Sequence, residues 1–184
     1  TRKIPTYDIL SEEHLVQIEA TAERIMAEIG IEFREDPEVV EKFRAAGAQV
    51  TELTEESWNL KFEPGMIRQI LSTAPERFTQ HARNPANTVE IGGDAMVLAP
   101  SYGSPFVMDL DKGRRYGTIA DFENFVKLAQ MSPNLHHSGG TICEPTDIAV
   151  NKRHLDMVYA HMRYSDRAFL GSITAPERAE DSIE

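Results

Sequence analysis

From residue 135 onward the sequence alternates between two periodicities, and that alternation constrains the fold more than any other feature. "LHHSGGTIC" (135–143) reads as a strand, "DIAVNKRHLDMVYAHMRY" (147–164) as a helix and "AFLGSIT" (168–174) as a second strand. Thr174, Ala175, Pro176 and Glu177 then read as a helix start, with a hydroxyl cap, an early proline and an acid three residues on. This is a βαβ unit beginning to repeat. Parallel strands joined by right-handed crossovers belong to a larger sheet or barrel, because two strands alone cannot cover both faces. Only seven residues follow Glu177, so the sequence is expected to be the front part of a longer α/β protein.

The preceding residues read differently. Ser11 caps an expected helix with Glu12 and Glu13 in its first turn, an apolar face at Leu15, Ile18, Ala22, Ile25, Met26 and Ile29, and a stop at Gly30. Ile31 and Phe33 alternate like a short strand, and Asp36 and Pro37 open a second helix that Gly47 closes. Between Gln49 and Gly117, "LKFE", "RFTQHAR", "TVEIGG", "AMVLAP" and "FVMDL" are short β-prone pieces, with a helix at "PGMIRQILSTA". "VMDLDKGRRYGT" predicts a hairpin turning at Asp111, Lys112 and Gly113. Thr118 and Asp121 have capping-box spacing ahead of a helix with Phe122, Phe125, Val126 and Ala129 on one face, ended by Pro133.

Composition removes several functional classes. Against 30 Asp and Glu there are 19 Lys and Arg, and a net charge of −11 with no basic run repels a phosphate backbone, so no nucleic-acid partner is expected. The apolar runs fall far short of the roughly 20 residues of a membrane span, and the first residues lack an apolar signal core. A single cysteine, Cys143, excludes an internal disulfide and fits a reducing compartment; a cytoplasmic location is expected.

The ordered phrases "ILSEEHLVQIEATAERIMAEIGIEF", "DPEVVEKFRAAGAQV", "APERFTQHARNP", "DFENFVKLAQMSPNL" and "YSDRAFLGSITAPERAED" resemble the N-terminal part of the trimethylamine methyltransferase family, which includes glycine betaine methyltransferases. The resemblance covers nearly the whole chain. It implies a TIM barrel with an N-terminal extension, here an α+β extension at 1–133 and an incomplete (β/α)8 barrel start at 134–184. The two strands named above would be its first and second. It also implies methyl transfer from a quaternary or tertiary amine to the cobalt of a separate corrinoid protein. The partners are then a small methylated amine and the cognate corrinoid protein, with cobalamin carried by that partner and no cofactor bound directly. A homo-oligomer is expected, and this stretch alone is expected to be inactive. Family chains are more than twice as long, and the region in which trimethylamine enzymes carry pyrrolysine would lie later, so that branch stays open.

In a TIM barrel the working face lies at the C-terminal ends of the strands. Glu144, in "TICEPTD", is therefore a candidate to attract a cationic ammonium, the alternative being a brace for its loop. Thr174 is a candidate for the cavity or, alternatively, the helix N-cap. Tyr102, in "APSYGSPF", is a candidate for one face of a cation cage, or simply packs a turn. No catalytic residue is named. His136 and His137 point to opposite faces of a strand, and His154 and His161 lie two helical turns apart, so no zinc pattern is expected. "GGD" and "SGGT" lack a phosphate-loop framework, and neither a GxSxG elbow nor a Cys–His motif is present. The competing reading is a non-catalytic assembly module, for which the acidic stretch Ser11–Gly47 would supply partner contacts.

Overall fold

A computed structural model describes Lys3 and residues 7–184. The chain divides into two compact units, one ending at Pro75 and the other comprising Glu76–Glu184.

In the first unit, α1 (Glu12–Arg24) starts where Ser11 Oγ accepts the His14 backbone N–H, as the cap and acidic first turn predict. It continues as one π-helical turn, Ile25–Ile29. Gly30, at φ +85°, then turns the chain into β1 (Ile31–Arg34). Helix α2 (Pro37–Ala45) begins at Asp36, whose carboxylate accepts the Val39 N–H, and ends with Gly47 at φ +104°. β2 (Gln49–Thr54) and β3 (Ser57–Lys61) follow, and β3 is central in the antiparallel order β1-β3-β2. The register pairs Phe33 with Trp58 and Val50 with Leu60. β2 was not anticipated: "QVTELT" carries too few apolar residues to stand out, and it pairs because its neighbour does. The short α3 (Met66–Leu71) completes the unit. Val40, Ala48, Leu60 and Phe62 form its core, with Phe43 edge-on to Phe62 at 5.2 Å. The apolar stripe of α1 stays largely uncovered, with Leu15 45% and Ile18 57% exposed.

The Gly30 turn tolerates no side chain. A Cβ there would lie 2.5 Å from the Leu60 carbonyl oxygen and 2.2 Å from Asn59 Oδ1, in addition to the positive φ. Gly30→Ala is expected to cost about 2 kcal/mol or more. Thermal unfolding followed by Trp58 fluorescence would read the loss, and an unchanged midpoint would mean that β1 yields without penalty.

The second unit opens with a hairpin of β4 (Arg77–Gln80) and β5 (Val89–Gly92), paired Phe78 to Ile91. β6 (Phe106–Asp109) and β7 (Gly113–Tyr116) form the hairpin expected at "VMDLDKGRRYGT", with Asp109 Oδ1 accepting the Asp111 and Lys112 N–H groups across the turn. α4 (Ile119–Met131) starts with both hydrogen bonds of the Thr118–Asp121 capping box. Arg115 on β7 donates both Nη groups to the Asp121 carboxylate, at 2.6 and 2.7 Å, and ties the hairpin to the helix. Those donated bonds hold the Asp121 carboxyl well below the usual carboxylate range.

α5 (Arg153–Tyr164) is shorter than the sequence predicts. Asp147, read as its start, instead accepts the Ile119 N–H at the head of α4, and residues 147–152 form turns. α6 (Pro176–Ile183) has Ala175, not Thr174, as N-cap, with no capping side chain. The core comprises Val107, Phe122, Val126, Cys143, Met157 and Ala160. Among the described residues no helix is long and apolar enough to cross a membrane.

The two predicted barrel strands are not β-strands here. Residues 135–143 and 168–174 are extended segments joined by Ser138 N–H to Ala168 O and Leu170 N–H to Gly139 O, both 2.8 Å. The bonded residue numbers rise together, so the segments run parallel. Gly139 sits at φ +102°, which interrupts the ladder. "AMVLAP" is likewise extended rather than a strand. Leu98 O accepts the His136 N–H, and Gly103 N–H reaches Thr141 O, which places residues 98–104 along the other side of 136–144. The architecture is mixed α and β, and no closed barrel is present among the described residues.

Candidate functional site

Three parallel extended segments, 98–104, 136–144 and 168–174, carry the residues singled out by the sequence. Their placement begins with polar groups that hold the segments. The Asp166 carboxylate accepts from Asn84 Nδ2, Asn87 Nδ2 and Gln130 Nε2 at 2.8 to 2.9 Å. Those donated bonds lower its pKa. Arg167 donates to the carbonyls of Gln130, Ser132 and Leu135, closing the end of α4, while Arg83 donates to those of Met162 and Ser165 at the end of α5. The "YSDRAF" phrase is therefore scaffold, bracing two helix ends against the segment that follows it.

His161, 1% exposed, lies under the glycine pair. Its Nε2 is 3.0 Å from the Gly140 carbonyl and so donates to it; Nδ1 then accepts from Ser138 Oγ at 2.8 Å. The ring stacks on Phe169 at 5.0 Å and meets Phe122 edge-on at 5.3 Å. Burial pushes its pKa down to about 4. His137 accepts the Gly139 N–H on Nδ1 and meets Gln80 Oε1 through Nε2, and burial lowers its pKa too. His136 is exposed on the opposite side, as alternation along an extended segment requires. Burial pushes the Cys143 thiol up to about 11, which keeps it protonated and unreactive near neutrality.

Glu144 and Thr174 come together. With Thr141, Ser172, Arg153, His154 and Arg178 they line a cleft of about 30 Å³ where both segments end. That is room for a water or two. Glu144 Oε2 lies 2.9 Å from Arg153 Nη2 but makes no aligned hydrogen bond, so charge more than geometry holds the pair. Thr174 Oγ1 accepts from Arg178 Nη1 instead of capping α6. Tyr102 does not line this cleft. It is 48% exposed, with its ring edge close to Gly140, the residue before Thr141, and partial burial raises its pKa.

Arg153 and Arg178 were missed by the sequence reading, and His154 was weighed there only as a metal ligand. A signal existed for Arg178, whose spacing of four from Thr174 puts both on one side of a helix start. None existed for Arg153, because its partner comes from a different element.

A family model described as trimethylamine methyltransferase (MTTB) matches residues 1–184. The chain is also 45% identical over 181 residues to a glycine betaine methyltransferase of Desulfitobacterium hafniense (strain Y51). That match covers 98% of this chain and 36% of the relative, so the chain spans about a third of the relative's length. With the match running through the helices, hairpins and extended segments described above, the chain belongs to the trimethylamine methyltransferase family.

Proposed function

We propose that the full-length protein containing this chain moves a methyl group from a quaternary or tertiary amine, of the glycine betaine or trimethylamine class, to the cobalt of a separate corrinoid protein. The observation that carries this reading is the 45% identity to a glycine betaine methyltransferase across 98% of the chain. In this reading residues 1–133 are an extension and residues 134–184 begin the barrel. The parallel hydrogen bonds between residues 138–139 and 168–170 support that assignment.

Demethylating a quaternary amine expels a neutral tertiary amine, so no proton has to reach the leaving nitrogen. The demand on the protein is placement of the methyl carbon in line with its acceptor. Reduced cobalt, carried by the partner, supplies the nucleophile. Glu144, Thr174 and Tyr102 are the proposed substrate contacts in this chain: the carboxylate by charge, Thr174 at the cleft wall and the Tyr102 ring through its quadrupole. The exposed apolar stripe of α1 favours a homo-oligomer, in which that stripe is covered.

Full-length protein mixed with reduced corrinoid protein and glycine betaine is expected to convert the absorbance of reduced cobalt to that of the methylated form. Absence of change with every betaine and methylamine tried would overturn the reading. Within it, Tyr102→Ala is expected to weaken substrate binding roughly tenfold. Unchanged affinity would remove Tyr102 from the site.

A further inference from the structure

The outer face of the β6–β7 hairpin is aromatic and apolar where a solvent-facing strand surface is ordinarily polar. Side chains alternate along a strand, so Val107 and Arg115 point one way and Phe106, Met108, Arg114 and Tyr116 the other. The inner pair is accounted for, because Val107 joins the core and Arg115 holds Asp121. On the outer face Met108 is 72% and Tyr116 61% exposed, and Leu110 at the turn is fully exposed. This face is nonetheless organised. The Phe106 and Tyr116 rings pack at 4.7 Å, and the Arg114 guanidinium lies 3.6 Å over the Phe106 ring. Arg115 is paired with Asp109 and Asp121, whereas Arg114 forms no ion pair among the described residues.

Both ends of the hairpin are anchored at the candidate site. Ser104 O, two residues before β6, accepts the Glu144 N–H at 2.9 Å, and Gly117 O, directly after β7, accepts the Thr146 N–H at 2.9 Å. The hairpin is thus bonded on both sides to the stretch that carries Glu144, and β6 continues the 98–104 segment that carries Tyr102. A macromolecule that brings a methyl acceptor to these residues comes within reach of the outer face. Aromatic side chains, Met and Arg are the types enriched where protein contacts concentrate their energy, and the unpaired guanidinium calls for a carboxylate opposite it. Two four-residue strands span only about 13 Å, far less than a stable dimer needs. So small a face suits a contact made and broken at each turnover rather than a permanent seam between copies.

Resting on the methyltransfer reading above, we infer that the outer face of the β6–β7 hairpin is the docking hot spot for the corrinoid-bearing protein. Phe106, Met108 and Tyr116 pack against an apolar patch of that partner, and Arg114 meets a carboxylate at its edge.

Methyl transfer from glycine betaine or trimethylamine by the full-length protein, with the concentration of corrinoid protein varied, tests the surface. Arg114→Glu and Tyr116→Ala are each expected to raise the KM for the corrinoid protein about tenfold, while the KM for the amine and kcat at saturating partner move less than about twofold. Arg114→Lys should recover most of the Arg114→Glu loss. An unchanged corrinoid KM in either variant, with transfer intact, would overturn the docking surface and leave methyl transfer standing. So would an equal rise in both KM values, which marks a structural role. Dissociation of an oligomer by Arg114→Glu, seen in sedimentation with the corrinoid KM unchanged, would assign the face to a contact between copies and overturn the proposal. Absence of transfer from every amine tried would sink the parent reading, and the docking surface with it.

Discussion

Replacing Phe122 with alanine is expected to destabilise the Glu76–Glu184 unit by about 4 kcal/mol, the high end for a large aromatic removed from a closed core. Phe122 is fully buried, in a cluster with Val107, Val126, Cys143, Met157 and Ala160. Its neighbours lie on a hairpin strand, two helices and an extended segment, and so cannot collapse together into the space left. The loss also reaches the site, because Phe122 supports the edge of the His161 ring that positions Ser138 and Gly140. Hydrogen exchange of the α4 and α5 amides measures it as a lowered opening free energy. Phe122→Leu should cost well under half as much. A loss below about 1 kcal/mol for the alanine variant would mean that this core is loosely packed.

The second large effect is on acid stability. His161 is neutral and buried, with a pKa pushed from 6.5 to about 4. Between those values the unfolded chain binds a proton that the folded chain refuses, so stability rises with pH through this window. Above 6.5 the contribution is fully present. As pH falls toward 4 it is lost, a decrement on the order of 3 kcal/mol. His137, also lowered by burial, adds in the same direction. The lowered carboxyl of Asp166 acts only at still lower pH, when it protonates and Asn84, Asn87 and Gln130 lose their acceptor. Unfolding measured from pH 7.5 to 4 should show a steep decline in the wild type and a shallower one in His161→Gln, which is itself less stable at pH 7.5. Parallel declines would assign the acid sensitivity elsewhere.

Much of the fold was legible because it is written locally. Ser11, Asp36 and the Thr118–Asp121 pair each satisfy the first N–H groups of a helix within three residues of themselves, and Asp109 does the same for the β6–β7 turn. Such signals need no knowledge of the rest of the chain. The reading failed where a residue's partner is remote. Asp147 looked like the start of α5 until the head of α4 claimed its carboxylate, and β2 is a strand because β3 lies beside it. Thr174 looked like a cap, but the arginine four residues later took its oxygen.

The site divides along the same line. Residue order alone identified Glu144 and Thr174 as segment ends, and the ordered phrases pointed to the family. Only the packing of 136–144 beside 168–174 brought Glu144 and Thr174 into one cleft with Arg153 set against Glu144. Sequence determines what a backbone group or side chain meets within a few residues, because chain connectivity holds those atoms close. Which side chains meet across 30 residues, as Glu144 and Thr174 do, depends on packing against a shared core, and that belongs to the tertiary structure alone.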